Sequence, residues 1–351
     1  MTRIDWIILR RLGARVGVTV LVFFGLLCLV ESLDTWRFQA LSKIGGPLLA
    51  LLSIVTGATR ILTGTLAVTV LIGTIIAVLD LQSRRELTVI KATGISIWRV
   101  LRAPVIAAII LGCIAVFAVV PLTLNINRSL PVAGARPSSE AIWLEQQGAE
   151  GAYVLHAERV RPSGTTLDRV SLFFTGGTDR ARIEADVARL SGGAWLLTDA
   201  VRYRADSPPE ILPKLRVSTI TTSADMQVRL TSARDLTFAE LVNVVSQNVA
   251  DPALRASAIT SLLSLLALPA LLVGSVLIGF AFTSGYRRTN KYGGAVLYGV
   301  VLGFVVYVVT ELANRSGYAG VLDPAFAAAG PAFVAIVIGL TVLLYKEDGR
   351  A

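Results

Sequence analysis

The sequence is poor in charged residues, and this shortage excludes a water-soluble protein. Only 16% of its 351 residues are charged, whereas charged residues make up about a quarter of an ordinary soluble domain. Hydrophobic residues account for 54% of the chain. Most of the protein surface is therefore expected to face lipid.

Cysteine and histidine are scarce as well, which argues against a disulfide framework or a metal centre. Cys28 and Cys113 fall in long apolar stretches, where they are expected to be small packing residues. The polar middle of the chain has no cysteine, so its fold must depend on its own core. His156 has no cysteine or carboxylate pattern at metal-ligand spacing beside it, which favours a structural role and predicts no metal site.

The motifs of common enzymes are missing too. No G-x-S-x-G or H-E-x-x-H sequence occurs, and no lysine is followed by serine or threonine, as the P-loop of an ATPase requires. We therefore predict a protein that is not an enzyme and that holds no cofactor of its own. Any coupling to ATP must be supplied by a partner.

What the sequence does contain is six apolar stretches of roughly 20 residues, the length of a helix that crosses a bilayer. They are residues 16–33, 61–81, 103–124, 258–282, 294–312 and 326–345. Two groups of three flank a long polar stretch, which predicts an α-helical polytopic membrane protein with six transmembrane helices in a 3+3 arrangement. Gly13 with Gly17 and Gly299 with Gly303 have the spacing of close helix packing.

The basic residues predict the orientation, because lysine and arginine in short loops stay on the cytoplasmic side of a membrane. They cluster before the first apolar stretch, between the second and third, between the fourth and fifth, and after the sixth. Both termini are therefore expected in the cytoplasm and the polar middle outside. Residues 128–232 carry 13 basic and 12 acidic residues, so almost all of the +9 net charge belongs to the membrane segments. This charge is a topology signal, and nucleic-acid binding is a poor explanation for it.

The polar middle is typical of β-structure. Short segments of alternating polar and apolar residues are separated by Gly, Pro, Ser and Asp, which predicts a small antiparallel sandwich or half-barrel. The predicted strands are residues 141–146, 152–159, 167–174, 181–190, 194–205, 214–217 and 226–230. From the residues alone, this domain could be an enzyme, a binding platform or a spacer.

The loop between the second and third apolar stretches favours a helix, a glycine and a second helix. Leu87 and Ile90 form a short amphipathic turn, Gly94 stands where that helix would end, and Ser96 can cap the next one. A helix of this kind can dock into a separate ATPase and transmit force. The alternative is an interfacial helix that only lies among the lipid headgroups.

At the outer end of the first two stretches, Trp36, Arg37 and Lys43 combine an aromatic ring with positive charge. Such a group suits a ligand whose phosphates lie at the outer membrane surface and whose acyl chains lie in the bilayer. The alternative is that these residues are ordinary interfacial anchors.

Taken together, the arrangement and four local motifs resemble the LptF/LptG family, the membrane permeases of the lipopolysaccharide export system. The motifs are residues 85–94 (RELTVIKATG), 235–241 (DLTFAEL), 265–269 (LLALP) and 303–308 (GFVVYV). The segment Ile142-Trp143-Leu144 favours the LptG branch over LptF.

The resemblance implies a domain plan and a location. Residues 1–127 would form transmembrane helices 1–3 with a coupling helix around 83–95, residues 128–232 a periplasmic β-jellyroll-like domain, and residues 233–351 a connecting helix and transmembrane helices 4–6. The protein would lie in the inner membrane of a Gram-negative bacterium, with both termini in the cytoplasm.

The resemblance also implies partners and site residues. The partners would be an LptB-type ATPase dimer that binds ATP and Mg, a sister permease (LptF or LptG), an LptC-type bitopic protein, and lipopolysaccharide, which enters from the outer leaflet near helices 1 and 5. The residues expected to couple to the ATPase are Arg85, Glu86, Leu87, Ile90, Lys91 and Gly94. Those expected to bind substrate are Trp36, Arg37, Lys43, Phe304 and Tyr307.

Two other classes stay open at this point. A permease of the MacB or FtsX type also pairs an exported domain with a separate ATPase, but it places that domain after its first span. A membrane enzyme that acts on lipid would need a nucleophile, an acid or a metal cluster, and the single histidine argues against it.

Overall fold

The structure, a computed structural model, consists of two compact units. It describes residues 3–86, 89, 92, 94, 96–129, 142–149, 151–161, 165–175, 181–204, 207–247, 251–283 and 292–347. One unit comprises Met1–Asn127 and Ile259–Ala351, and the other comprises Arg128–Ala258. We call them the membrane unit and the β unit.

The elements follow one another along the chain in this order: α1 (Arg3–Ser32), α2 (Thr35–Ser83), α3 (Ile97–Ile114), a π-helical turn (Ala115–Val119), α4 (Val120–Ser129), β1 (Ile142–Gly148), β2 (Gly151–Val160), β3 (Thr166–Phe174), β4 (Arg182–Ser191), β5 (Ala194–Arg204), β6 (Ser207–Ser218), α5 (Ser223–Thr231), a 3-10 turn (Ala233–Asp235), α6 (Phe238–Ser246), α7 (Pro252–Thr283), α8 (Tyr292–Tyr318) and α9 (Pro324–Glu347).

Within the described residues, six segments are long and apolar enough to cross a membrane. They are Ile8–Ser32, Gly46–Ser83, Ile97–Ser129, Pro252–Thr283, Val300–Tyr318 and Pro324–Lys346. Three precede the β-strands and three follow them, which confirms the predicted 3+3 arrangement with an inserted β domain. The second span is longer than predicted, because the apolar part of α2 extends back to Gly46, where φ is +79° and Pro47 follows.

Glycines allow the helices of the membrane unit to approach closely. A Cβ atom at Gly112 in α3 would lie 2.6 Å from the Cα of Pro269 in α7, so the proline of the LLALP motif packs directly on that glycine. Gly303, in the GFVVYV motif, packs against Val68, as the prediction of close packing requires. A Cβ atom at Gly13 or at Gly17 would meet no other described element within 4 Å, so their predicted close packing is wrong for this chain by itself.

The β unit contains one antiparallel sheet with strand order β1-β2-β3-β4-β5-β6. Six of the seven predicted strands are confirmed. The seventh, at 226–230, is wrong, because residues Ser223–Thr231 form α5. The helix begins with a capping box in which Thr222 and Asp225 bond each other's backbone N–H groups. Met226 is buried in the core of the sheet.

The sheet rolls until its first strand meets the end of its last. The backbone N–H of Ala149 donates to the Ser218 hydroxyl at 2.7 Å, and the Tyr153 hydroxyl donates to the Ser218 carbonyl oxygen at 3.1 Å. Trp195, Leu155 and Leu172 lie fully buried inside the roll. The predicted half-barrel, jellyroll-like in its rolled shape, therefore encloses its own apolar core.

The simple alternation expected of a strand changes phase along one line across this sheet. In β3, β4 and β5 the buried residues on either side of the line are three positions apart instead of two: Leu167 and Val170, Ala185 and Ala188, Leu197 and Ala200. The residues between them are aligned by strand pairing, since Asp168 pairs with Val187 and Val187 with Thr198. Arg169 and Asp199 have left-handed backbones there, with φ of 51° and 55°. Such local irregularities let strands follow a strong curvature, as β-bulges do.

An arginine clamp joins the beginning and the end of the β unit. Arg128 donates to both carboxylate oxygens of Glu240, at 2.6 and 2.9 Å, and to the Asp235 carbonyl oxygen at 2.8 Å. Glu240 also accepts from the Thr237 N–H and so caps α6, the helix of the DLTFAEL motif. The hydrogen bond from Arg128 lowers the pKa of Glu240 to about 2.

The close crossing of α3 and α7 predicts the effect of a single methyl group. Gly112→Ala should destabilise the protein by about 1–3 kcal/mol, because the Pro269 backbone cannot move aside cheaply. Thermal unfolding in detergent measures this change. Gly17→Ala is the matched control, since that glycine faces open space. Equal melting temperatures for the two variants would show that the α3–α7 contact tolerates a side chain.

The depressed pKa of Glu240 predicts how stability depends on pH. A lowered folded-state pKa contributes stability that is present above the ordinary value of 4.5 and is lost as the pH falls through about 2. At pH 7, Glu240→Gln should lower the free energy of unfolding by about 1 kcal/mol, a value reduced for solvent screening of this partly exposed pair. The difference in melting temperature between Glu240→Gln and the wild type should shrink as the pH is lowered from 7 to 2. Glu210→Gln, at an exposed pair 3.6 Å from Arg202, is the control, and a constant gap for Glu240→Gln would contradict the assignment.

Candidate functional site

The segment that follows α2 makes two sharp changes of direction. Arg85 has a left-handed backbone with φ of 58°, and Gly94 has φ of 76°, the conformation predicted for a glycine that ends a helix. Ser96 occupies the position before α3, but its side chain makes no capping hydrogen bond, so that detail of the prediction is wrong. Leu87, Ile90 and Lys91 lie outside the described residues.

Two arginines of α1 bind carboxylates at and after the end of α2. Arg11 donates to the carboxylate of Glu86. Arg15 donates to Asp80 Oδ2 from both Nε and Nη2, at 3.2 and 3.1 Å. Arg11 and Arg15 are one helical turn apart and therefore share a face of α1. We call these four residues the arginine–carboxylate network.

The same end of α2 is also linked to α7, whose own end is held by α9. The Gln82 side chain donates to the carbonyl oxygen of Thr283, the last residue of α7. Lys346 in α9 donates to the carbonyl oxygen of Ala281 at 2.6 Å, and its Nζ lies 5.9 Å from the centre of the Phe282 ring. A helix leaves its last carbonyl groups without partners, and a lysine there also interacts favourably with the helix dipole. The end of α2 is therefore connected through polar contacts to α1 and α7. It lies immediately before residues 85–94, which we call the coupling segment after their predicted role.

The predicted substrate residues of α2 and α8 do not form one cluster. Trp36 and Arg37 lie in the first turn of α2, and nothing of their side chains is described, while Lys43 is exposed. Phe304 and Tyr307 are 63% and 36% exposed on α8. Gly303, next to Phe304, packs against Val68 of α2. At 1.5 Å per residue, roughly 30 Å of helix separates Val68 from Gly46, and Lys43 precedes Gly46. The three predicted residues at the beginning of α2 are therefore distant from Phe304 and Tyr307.

A carboxylate contact between α1 and α2 was not predicted. A Cβ atom at Gly57 would lie 2.6 Å from Glu31 Oε2, so the absence of a side chain at Gly57 makes room for the carboxylate of Glu31. The sequence shows an acidic residue near the end of an apolar stretch and a glycine shortly before the next, which is the only available signal. Arg11 and Arg15 belong to the basic cluster before the first apolar stretch, which predicts topology and does not indicate their pairing.

In the described part of the chain, no group of three or more His, Cys, Asp or Glu side chains is arranged to hold a metal ion. The ring of His156 packs against the exposed Trp143 ring, with 4.4 Å between their centres. This packing agrees with the structural role expected for that histidine.

The fold defines the class, a polytopic α-helical membrane protein with an antiparallel β domain between its third and fourth spans. The family model described as Lipopolysaccharide export system permease LptF/LptG matches residues 6–345, which is nearly the whole chain. The chain belongs to this family and is a multi-pass inner-membrane protein. A comparison with individual curated proteins finds no match. The family model covers LptF and LptG together, so the assignment to LptG stays a prediction.

Proposed function

We propose that this chain is the permease subunit of an ABC transporter that takes lipopolysaccharide from the outer leaflet of the inner membrane and passes it to a periplasmic β-jellyroll bridge. The observation that carries the proposal is the family match over residues 6–345, together with a β domain inserted between two groups of three spans. The termini and the arginine-rich ends of α1 and α2 face the cytoplasm, and the β unit faces the periplasm. The positive-inside rule supports this orientation.

ATP hydrolysis takes place in a partner, an LptB-type dimer that binds ATP and Mg. The sequence contains no P-loop, and the segment from Arg85 to Gly94 is the part of this chain proposed to dock with the ATPase. Glu86 is proposed as its main contact, with Arg85, Leu87, Ile90 and Lys91 around it. The left-handed backbone of Gly94 supports this proposal, because it lets the segment turn back into α3.

The sister permease and an LptC-type protein would cover apolar surfaces that this chain exposes. Large apolar side chains of α1 and α8 are exposed, among them Leu21, Leu29, Leu297, Phe304 and Leu312. In the proposed complex these two faces border the lateral opening through which the acyl chains of lipopolysaccharide enter. Phe304 and Tyr307 would then line the cavity.

Only one of the two edge strands of the β sheet is well suited to pair with a further strand from the periplasmic bridge. Strands β1 and β6 are the two edges of the sheet. Three prolines in β6, Pro208, Pro209 and Pro213, lack the N–H group that a further strand would need. We therefore propose that β1 is the edge that extends toward the periplasmic bridge.

The MacB or FtsX type of permease is disfavoured as the alternative. Its exported domain follows the first span, whereas the β unit of this chain follows the third span.

The coupling role of Glu86 gives a direct test of the proposed function. In a complex reconstituted with the ATPase, the sister permease and the LptC-type protein, Glu86→Ala should reduce lipopolysaccharide export about tenfold or more. The physical reason is the loss of one charge-assisted contact, ~1.5–3 kcal/mol. Export and ATP hydrolysis are measured in the same vesicles. Glu311→Ala, at an ion pair within α8, is the matched control.

Two outcomes of this test count against different claims. Unchanged export and hydrolysis in Glu86→Ala would remove Glu86 from the coupling site. Failure of the wild-type complex to move lipopolysaccharide, or to bind an ATPase at all, would overturn the function itself.

The phosphate-binding role proposed for Arg37 and Lys43 has its own test. Reversal of either charge to glutamate should lower photo-crosslinking of lipopolysaccharide about fivefold, because a basic side chain near an anionic lipid surface contributes ~1 kcal/mol. Lys43→Arg keeps the charge and should crosslink like the wild type. Undiminished crosslinking in both reversals would leave these residues as interfacial anchors.

A further inference from the structure

The most apolar stretch of helix α1 is buried far less than that of α2, its main neighbour. Within its most apolar stretch, 6% of the residues are buried, against 61% for α2. Leu21, Leu26 and Leu29 are all more than half exposed. Apolar packing therefore holds α1 mainly near its beginning, where Ile8 and Leu12 belong to the buried core. Along the rest of the helix, specific contacts determine which other element α1 follows.

Most contacts of α1 lie along α2, which runs antiparallel to it, and fewer lie along α3. Near the middle, a Cβ atom at Gly73 would lie 3.0 Å from the Cα of Val16, so the two backbones almost touch. Toward the other end, the Glu31 carboxylate occupies the space above Gly57. At the arginine-rich end, Arg15 binds Asp80 through two N–H groups.

The arginine–carboxylate network continues beyond the end of α2. Asp80 is in the last turn of α2, whereas Glu86 follows the left-handed turn at Arg85 and belongs to the coupling segment. Arg11 binds Glu86, which follows Arg85, whereas Arg15 binds Asp80, which precedes it. Two neighbouring arginines of α1 therefore hold the chain before and after Arg85. A displacement of the coupling segment would therefore act on α1 directly, without passing through the apolar core.

We infer that Arg11 and Arg15 are positioning residues that make α1 move with the coupling segment, so that the ATPase drives the lateral opening through α1. The inference rests on the proposed function, because that proposal supplies both the coupling segment and the lateral opening beside α1. The two arginines would connect them mechanically. Each arginine acts through a carboxylate of α2 or of the coupling segment and needs no contact with lipid or nucleotide. The Arg15–Asp80 pair is the better probe, because Glu86 is also proposed to touch the ATPase.

The test is a double-mutant cycle in the reconstituted four-component complex, with Arg15→Gln, Asp80→Asn and the two combined. The quantity measured is the amount of lipopolysaccharide exported per ATP hydrolysed. Each single variant should lower the export per ATP about threefold. This is the effect expected when the loss of one partly exposed ion pair shifts an equilibrium between two conformations. The double variant should be no worse than either single one, because both remove the same interaction.

Arg161→Gln is the control. Arg161 Nη2 lies 2.9 Å from Oδ1 of Asp168 in the β unit, so this variant removes a partly exposed ion pair without touching α1, α2 or the coupling segment. Its export per ATP should equal that of the wild type. The amount of ATPase that copurifies should be the same for all variants.

A second measurement reports the movement of α1 itself. In a chain with Cys28→Ala and Cys113→Ala, Leu29→Cys places a thiol on the exposed side of α1. ATP should change the rate at which a maleimide labels this thiol, and Arg15→Gln should abolish that change. A merely structural role for Arg15 would alter the melting temperature but not this dependence on ATP.

The outcomes separate the inference from the function on which it rests. Wild-type vesicles that export no lipopolysaccharide overturn the proposed function. If the wild type exports, the inference is overturned by a normal export-to-ATP ratio in Arg15→Gln, by additive losses in the double variant, or by reduced copurification of the ATPase.

Discussion

A charged side chain in a membrane helix is stabilised only where it reaches water or a partner, and this constraint organises the membrane unit. Polar residues in the middle of the spans are mild and bond to their own helix, as Thr74 does to the Val70 carbonyl and Ser275 to that of Leu271. Most arginines and carboxylates of the described helices lie instead near the helix ends, and Arg60 in the middle of α2 is an exception. The contacts that distinguish one helix neighbour from another are therefore ionic at the ends and steric in the middle.

The steric contacts depend on missing side chains. Gly112 accepts Pro269, Gly274 accepts Ala335 and Gly303 accepts Val68, and in each case a methyl group would press on the neighbouring helix. Lipid is as apolar as the side chains it would replace, so close backbone approach is the main reason for these helices to prefer one another. The motifs LLALP and GFVVYV thus have a packing explanation that is independent of any role in transport.

Much of this fold can be predicted from sequence because its signals are local. Each span is a continuous apolar run, and six strands show alternation between turn residues. Alternation of Met226 and Val228 with polar residues predicts a strand at 226–230, whereas the capping box of Thr222 and Asp225 begins a helix, Ser223–Thr231. The change of phase across β3 to β5 depends on strand pairing, and a single strand does not reveal it.

The candidate site was less predictable, because its contacts join distant parts of the chain. Glu86 and Gly94 could be identified from a short motif, yet the partner of Glu86 lies 75 positions away and that of Asp80 lies 65 positions away. Arg11 and Arg15 carry a strong topology signal, which concealed their specific pairing. The same charge serves both purposes, since an arginine kept at the cytoplasmic surface is also available to bind a carboxylate there.

The proposed function requires an element that packs loosely enough to move and is connected firmly enough to follow the partner ATPase. Helix α1 combines these two properties. Its lipid-facing side makes few contacts that would resist displacement, and its arginines hold the segment proposed to receive force from the ATPase. Stronger apolar packing along the rest of α1 would add stability but would also fix the whole helix to the core, so its low burial fits the role that we infer for it.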